Sequence, residues 1–192
     1  MNCSRDHDYD ALIRAAAASF SIDPALLKAH VNRESAFDPN AYRSEPTVGD
    51  ASYGLAQVRY KVAKSLGYPG TPDGLYDPGT NLYLAAKLIR QNLDYCGGDL
   101  ATAVSAYNAG FGNPPQRTGR RLADGSFVNQ GYVTDVLGCL EAYADDFSSS
   151  SATPEPTPPP TASGLSSTLL LSGAALIAGF IALLFLLLKA RP

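Results

Sequence analysis

Residues 169–188, LLLSGAALIAGFIALLFLLL, contain no charged side chain, and the stretch before them, SSSSATPEPTPPPTASG, is dominated by Ser, Thr and Pro. These two segments constrain the chain most, because neither belongs in the core of a water-soluble domain. As a helix the apolar run is about 30 Å long, the thickness of the hydrocarbon layer of a bilayer. The stretch before it has no apolar face to bury and reads as a solvated, partly polyproline spacer reaching roughly 50 Å. The expected organisation is a folded domain over residues 1–147, a disordered stalk over 148–166, one transmembrane helix over 167–188 held in the bilayer through Leu169–Leu188, and a short basic tail over 189–192. Lys189 and Arg191 flank only the C-terminal side of the run. The positive-inside rule places that side in the cytoplasm and the folded domain opposite. The opening MNCSRDHDYD has neither the basic start nor the apolar run of a secretory or lipoprotein signal, and none is expected there.

Of the 15 basic and 18 acidic residues, only Lys189, Arg191 and Glu155 lie beyond residue 147, so the folded part carries a net charge of −4. No Lys/Arg run or RNA-binding motif supplies a basic face, and nucleic acid is not an expected partner. Cys3, Cys96 and Cys139 leave room for one disulfide and one free thiol in a domain outside the cytosol, with Cys96 and Cys139 a candidate pair. Cysteine spacing fits no zinc motif, and His7 and His30 lie far apart in the chain, so neither a metal nor another cofactor is expected.

Within the folded part, hydrophobic periodicity predicts mainly helices. DYDALIRAAAASFSI reads as a first helix, capped around Asp8 or Asp10 and ending near Ser21. Asp23-Pro24 combines an N-cap acid with proline at the first helical position, and opens a helix in which Leu27, His30 and Glu34 share a face. Residues 40–52 show no periodicity and read as a loop. A short helical piece follows YGLAQV and ends at Gly67. Asp77-Pro78 repeats the cap-then-proline device ahead of NLYLAAKLIRQNL. Asp99 caps DLATAVSAYNAG, which Gly110 stops; RLADGSFV reads as a small hairpin, and YVTDVLGCLEAYA as the last helix. Nothing in the sequence sets an oligomeric state.

The chemistry concentrates at three places. Glu34 ends a helix beside an apolar face and before a loop, where partial desolvation favours the neutral carboxyl and suits a general acid. Gly54-Leu55-Ala56-Gln57 sets an amide after a glycine that permits close approach, and Tyr107-Asn108-Ala109-Gly110 ends a helix with two hydrogen-bonding side chains at a glycine turn. Singly, each has a plain structural explanation: a solvated carboxylate, a helix cap, a C-terminal turn residue and, for Tyr132, a packed tyrosine. His30 lies one turn before Glu34, within reach of it.

In this order, Glu34-Ser35, Gly54-Leu55-Ala56-Gln57, Ala106-Tyr107-Asn108-Ala109-Gly110 and Tyr132-Val133 resemble the soluble-type lytic transglycosylases, over roughly residues 10–145; YDPGTNLYLAAKLIRQNL resembles the family helix between the second and third motifs. The resemblance implies a lysozyme-like α+β fold, mainly helical with a minor β-hairpin. It also implies cleavage between N-acetylmuramic acid and N-acetylglucosamine in peptidoglycan glycan strands. Glu34 would act as acid and then base, with no second catalytic carboxylate because the substrate's acetamido group stabilises the charge. Gln57 and Asn108 would hold sugar groups, Tyr132 would orient Glu34, Ser35 would support the site, Tyr107 would line the groove, and Gly54 would allow the close turn. Ala56 departs from the family's usual methionine. Glu45 and Asp50, between the first two motifs, are either surface acids or a water-activating acid across the groove, as in hydrolysing goose-type muramidases. A tethered, non-catalytic wall-binding module is the remaining alternative. Transglycosylases of this kind occur in phage particles, so the expected location is a virion membrane or a bacterial inner membrane facing the periplasm.

Overall fold

The computed structural model describes residues 2–112 and 114–148. The expected stalk, membrane segment and basic tail lie outside the described residues, apart from Ser148, which ends the last helix. No helix among the described residues is long and apolar enough to cross a membrane.

Among the described residues, six α-helices and a three-stranded sheet form: α1 (Asp10–Ser19), α2 (Pro24–Ser35), β1 (Tyr42–Glu45), β2 (Asp50–Tyr53), β3 (Val58–Arg59), α3 (Tyr60–Ser65), α4 (Pro78–Tyr95), α5 (Leu100–Ala109) and α6 (Gln130–Ser148). The three expected aspartate caps form. Asp23 accepts from Ala25 N at 2.8 Å, Asp77 from Thr80 N at 2.8 Å, and Asp99 from Thr102 N at 2.8 Å. Each satisfies an N–H with no partner inside its helix and contributes about 1 kcal/mol. α1 starts differently, with Tyr9 as its N-cap and no side-chain cap, and it ends at Ser19.

α2 is the central element. Every residue from Ala25 to Asn32 is buried, and α6 packs along it. Because α2 has protein on nearly all sides, it includes a fully buried Lys28. Its ammonium lies 2.7 Å from Asp10 and 2.9 Å from Asp146, tying α1, α2 and α6 together. His7, Asp10 and Asp146 converge as three metal ligands would. The Lys28 ammonium already sits among them, 3.3 Å from His7 Nδ1, and fills the cation's place.

Two expectations are corrected and a third is narrowed. Residues 40–52 are not a loop but the β1–β2 hairpin, closed by a 3-10 turn over Pro46–Val48 and pairing Tyr42 with Tyr53, Arg43 with Ser52 and Glu45 with Asp50. RLADGSFV forms only a minimal hairpin: one isolated antiparallel bridge, Arg121 to Phe127, with Leu122 N donating to Ser126 O at 2.8 Å and Val128 N to Arg120 O at 3.1 Å, around a turn that Asp124 closes by accepting from Ser126 N at 2.9 Å. The disulfide joins Cys3 to Cys139 and leaves Cys96 free. The polar N-terminal arm lies along α6, where Arg5 pairs with Asp146 and Tyr143 donates to Ser4 O at 2.8 Å, so Cys3 is the thiol that meets Cys139.

Candidate active site

The helix carrying Glu34 stops because Ala36 and Phe37 both adopt left-handed backbone, at φ 53° and 68°. Such a conformation costs a non-glycine residue of order 1 kcal/mol or more. Burial of the Phe37 ring offsets it here. The turn swings the chain away from the helix axis, leaving the Glu34 carboxyl at the helix end facing two adjoining cavities. One, of about 360 Å³, is lined by Arg33, Glu34, Arg43, Asn108, Asn129, Tyr132 and neighbours. The other, of about 100 Å³, is lined by Glu34, Arg43, Glu45, Ser52, Gln57, Arg59, Tyr107 and Asn108. Glu34, Arg43 and Asn108 belong to both, so Glu34 sits where two halves of one groove meet. A cavity of about 500 Å³ between residues 66–69, after α3, and α4 shares no residue with this groove.

Tyr132, from α6, donates its hydroxyl to Glu34 Oε1 at 2.7 Å. Desolvation raises the Glu34 pKa, against the Tyr132 hydrogen bond and the Arg43 and Arg33 charges, which lower it; Glu45 adds to the rise. Burial and the nearby Glu34 charge hold the Tyr132 and Tyr107 phenols well above their ordinary value. His30 makes its hydrogen bond not with Glu34 but with Tyr132, whose hydroxyl lies 2.8 Å from Nδ1, and its ring packs on Tyr107 with centroids 4.5 Å apart. Complete burial lowers its pKa to about 3, so it is neutral.

Ser35 Oγ donates to Leu55 O at 2.7 Å, fastening the end of α2 to the Gly54–Gln57 turn. Gly54 is required there. Its φ is +68°, and a Cβ would lie 2.7 Å from Leu75 O and 2.8 Å from Asn81 Nδ2. Asn81, buried on α4, holds the turn by donating to Tyr53 O and Leu75 O and accepting from Ala56 N, each at 2.8 Å. Gln57 lines the groove, but its Nε2 is committed to Ala41 O at 3.0 Å and Gly54 O at 3.2 Å. Its side chain therefore braces the turn as well as facing the cavity. Tyr107 donates to Ala56 O at 2.9 Å and lines the same cavity. Asn108 accepts from Asn129 Nδ2 at 3.1 Å, and Asn129 is itself fixed to Ser105.

All seven residues named from the sequence thus lie at or beside one groove. Arg43, Arg59, Ser52 and Asn129 were not named. The first three share the sheet face that carries Glu45, because alternate residues of a strand point the same way. The sequence carries a faint alternation, Ala51 and Tyr53 against Asp50 and Ser52 and Tyr42 against Arg43, but each run is four residues long and Ser44 interrupts the apolar side. Glu45 reaches the groove, paired to Arg43 at 2.7 Å and accepting from Ser52 Oγ at 3.2 Å. Asp50 does not line it; its carboxylate accepts from Ala51 N and Lys61 N, at the start of α3.

Three solved structures share the fold. An inactive mutant of lytic transglycosylase Slt from Pseudomonas aeruginosa matches with a TM-score of 0.59 and 23% identity, over 72% of this chain and 24% of that one. A 70-kDa soluble lytic transglycosylase in complex with bulgecin A gives 0.57 and 22%, over 73% of this chain and 25% of that one. The 70-kDa soluble enzyme from Escherichia coli gives 0.54 and 25%, over 72% of this chain and 24% of that one. The fold is the expected lysozyme-like one, mostly helical with a small antiparallel sheet. A curated relative named Transglycosylase, from Enterobacteria phage PRD1, is 40% identical over 98 residues, 51% of this chain and 33% of that protein. The chain therefore spans about a third of its length. Residues 11–124, which include Glu34, the Gly54–Gln57 turn and Asn108, match the family described as Transglycosylase SLT domain. The match takes in more than half of the chain, which belongs to the transglycosylase SLT domain family.

Proposed function

We propose that this chain is a membrane-anchored lytic transglycosylase that cuts the β-1,4 bond between N-acetylmuramic acid and N-acetylglucosamine of peptidoglycan without water. Protonated Glu34 gives its proton to the glycosidic oxygen as the bond from the muramic C1 to that oxygen breaks. The acetamido oxygen of the same sugar stabilises the positive charge at C1. The Glu34 carboxylate then takes the proton of the C6 hydroxyl, whose oxygen bonds to C1 and closes a 1,6-anhydro ring. The proton returns to Glu34, and no co-reactant is consumed.

The observation that carries this reading is a half-buried carboxyl biased toward its acid form at the meeting point of the groove's two halves. The other groove carboxylate, Glu45, is engaged by Arg43 and Ser52. The relative named Transglycosylase and the family membership support it. Digestion of purified sacculi should release products one water lighter than hydrolysis products, and Glu34→Gln should cut release by at least about a hundredfold. Wall binding unaffected by that substitution, with no cleavage by the unaltered protein, would leave only a binding module.

A second reading has one observation in its favour: Glu45 lines the same cavity as Glu34. If Glu45 activates a water, products carry ordinary reducing ends and Glu45→Gln removes them. The anchor through Leu169–Leu188, with the domain on the non-cytoplasmic side, is part of the proposal, as is local wall opening for genome entry from a virion membrane; the phage relative supports that setting. A bacterial inner membrane facing the periplasm is the competing location. Finding the protein in purified particles, or failing to, separates the two.

A further inference from the structure

His30 is a polar side chain with no place in the mechanism above, set between Ala29 and Val31 in the buried stretch of α2. It is fully buried, and among the described residues its Nε2 has no hydrogen-bond partner. A buried unpaired polar atom costs about 1–3 kcal/mol. The identity of that atom tells the direction of a proton chain. Tyr132 uses its only hydrogen to donate to Glu34 at 2.7 Å. The phenol oxygen can then only accept from His30 Nδ1, 2.8 Å away, so Nδ1 carries the imidazole hydrogen and the orphan Nε2 is an acceptor. The opposite tautomer would strand an N–H donor in the core, and buried unpaired donors are rarer than buried unpaired acceptors. It would also turn the Tyr132 hydrogen toward His30 and invite the acid proton of Glu34 onto the phenol oxygen.

We infer that His30 is a positioning residue, whose Nδ1–H fixes the Tyr132 hydroxyl so that it donates only to Glu34 and keeps the acid proton on the oxygen available to substrate. The inference rests on the assignment of Glu34 as the acid but concerns a residue that touches no substrate. The groups facing Glu34 are Tyr132 from α6, Tyr107 from α5, Arg33 on its own helix, and Arg43 and Glu45 from β1. Tyr107 and Tyr132 are the rings packed on His30.

The chain has two histidines, so the imidazole nitrogen spectrum of the full-length protein reads the tautomer directly, with His7→Gln assigning the signals. His30 should appear neutral with the hydrogen on Nδ1 at neutral pH; a hydrogen on Nε2, or a charged ring, overturns the inference whether or not the protein cleaves sacculi. In kinetics, His30→Asn keeps an N–H close to the Nδ1 position, whereas His30→Gln moves it toward Nε2. Asn should retain most of kcat, and Gln should lose on the order of tenfold. The Gln variant's alkaline limb in kcat/KM should move to higher pH, because a Tyr132 hydroxyl free to turn away stabilises the Glu34 carboxylate less. In a Tyr132→Phe background the Asn and Gln variants should become indistinguishable. Equal behaviour of Asn and Gln in the native background, or an unchanged difference after Tyr132→Phe, refutes a role exerted through Tyr132.

Discussion

Breaking the Cys3–Cys139 bridge should cost this domain a large part of its stability. The two cysteines are 136 residues apart, so the bridge closes nearly the whole folded domain into one loop. The loop-entropy relation gives about 5 kcal/mol for a loop of that size, near the top of the range seen on removing native disulfides. Some of this is offset. Without the bridge the arm keeps the Ser4 N to Asn32 Oδ1 bond at 3.1 Å and the Tyr143 bond to Ser4 O, and the reduced unfolded chain is more compact than an ideal coil. A net loss of about 2–5 kcal/mol, at roughly 2–4 °C per kcal/mol for a domain of this size, lowers Tm by about 5–20 °C. The assay is thermal unfolding by circular dichroism, with and without reductant, in a Cys96→Ser background so that only the bridge responds. Cys3→Ser should reproduce the reduced melt in the absence of reductant. If the oxidised and reduced proteins melt within about 2 °C of one another, or thiol counting finds three free thiols in the native chain, the reasoning fails.

Lys28→Met should cost about 3–5 kcal/mol by leaving Asp10 and Asp146 without their buried cation, and adding Asp146→Asn should recover part of it, read by denaturant unfolding. Gly54→Ala puts a methyl within 2.7 Å of Leu75 O at a left-handed position; a loss of at least about 2 kcal/mol is expected, with activity falling as the Gln57 turn shifts. Glu34→Gln should reduce sacculus cleavage by about 10²–10⁴-fold and yet raise stability at neutral pH. The folded pKa of Glu34 lies above its unfolded value, so its charged form destabilises the fold once pH rises through that window, and the amide carries no such cost. Arg43→Gln removes a cation that lowers the Glu34 pKa, so the alkaline limb of kcat/KM should move to higher pH; an unchanged limb would mean that Arg43 does not act on Glu34.

What the sequence disclosed, and what it concealed, divides by the range of the forces. Asp23, Asp77 and Asp99 were readable because a cap acts on an N–H two or three residues ahead. Glu34 was readable because helix periodicity and an adjacent stop set its place. The β1–β2 hairpin was not, since YRSE and DASY are four residues each, with only Tyr42, Ala51 and Tyr53 on the apolar side, and the pairing decides which side meets the groove. That register places Arg43 and Arg59 beside Glu34, and no local rule selects it. The disulfide was concealed for a similar reason: three thiols allow three pairings, and the Cys3–Cys139 choice depends on where the N-terminal arm lies against α6. His30 was noticed for its distance along the helix, whereas its partner, Tyr132, comes from more than a hundred residues away.

The salt bridge from Arg5 to Asp146 and the contacts of Arg14 with the carbonyls of Asp146 and Phe147 bring the first and last segments of the domain to a common corner. A fold whose entrance and exit adjoin behaves as a cassette. It can be spliced into a longer polypeptide, or circularly permuted there, without a connecting strand being drawn across the cleft. Such geometry suits a domain that occupies a third of one relative's length and about a quarter of others.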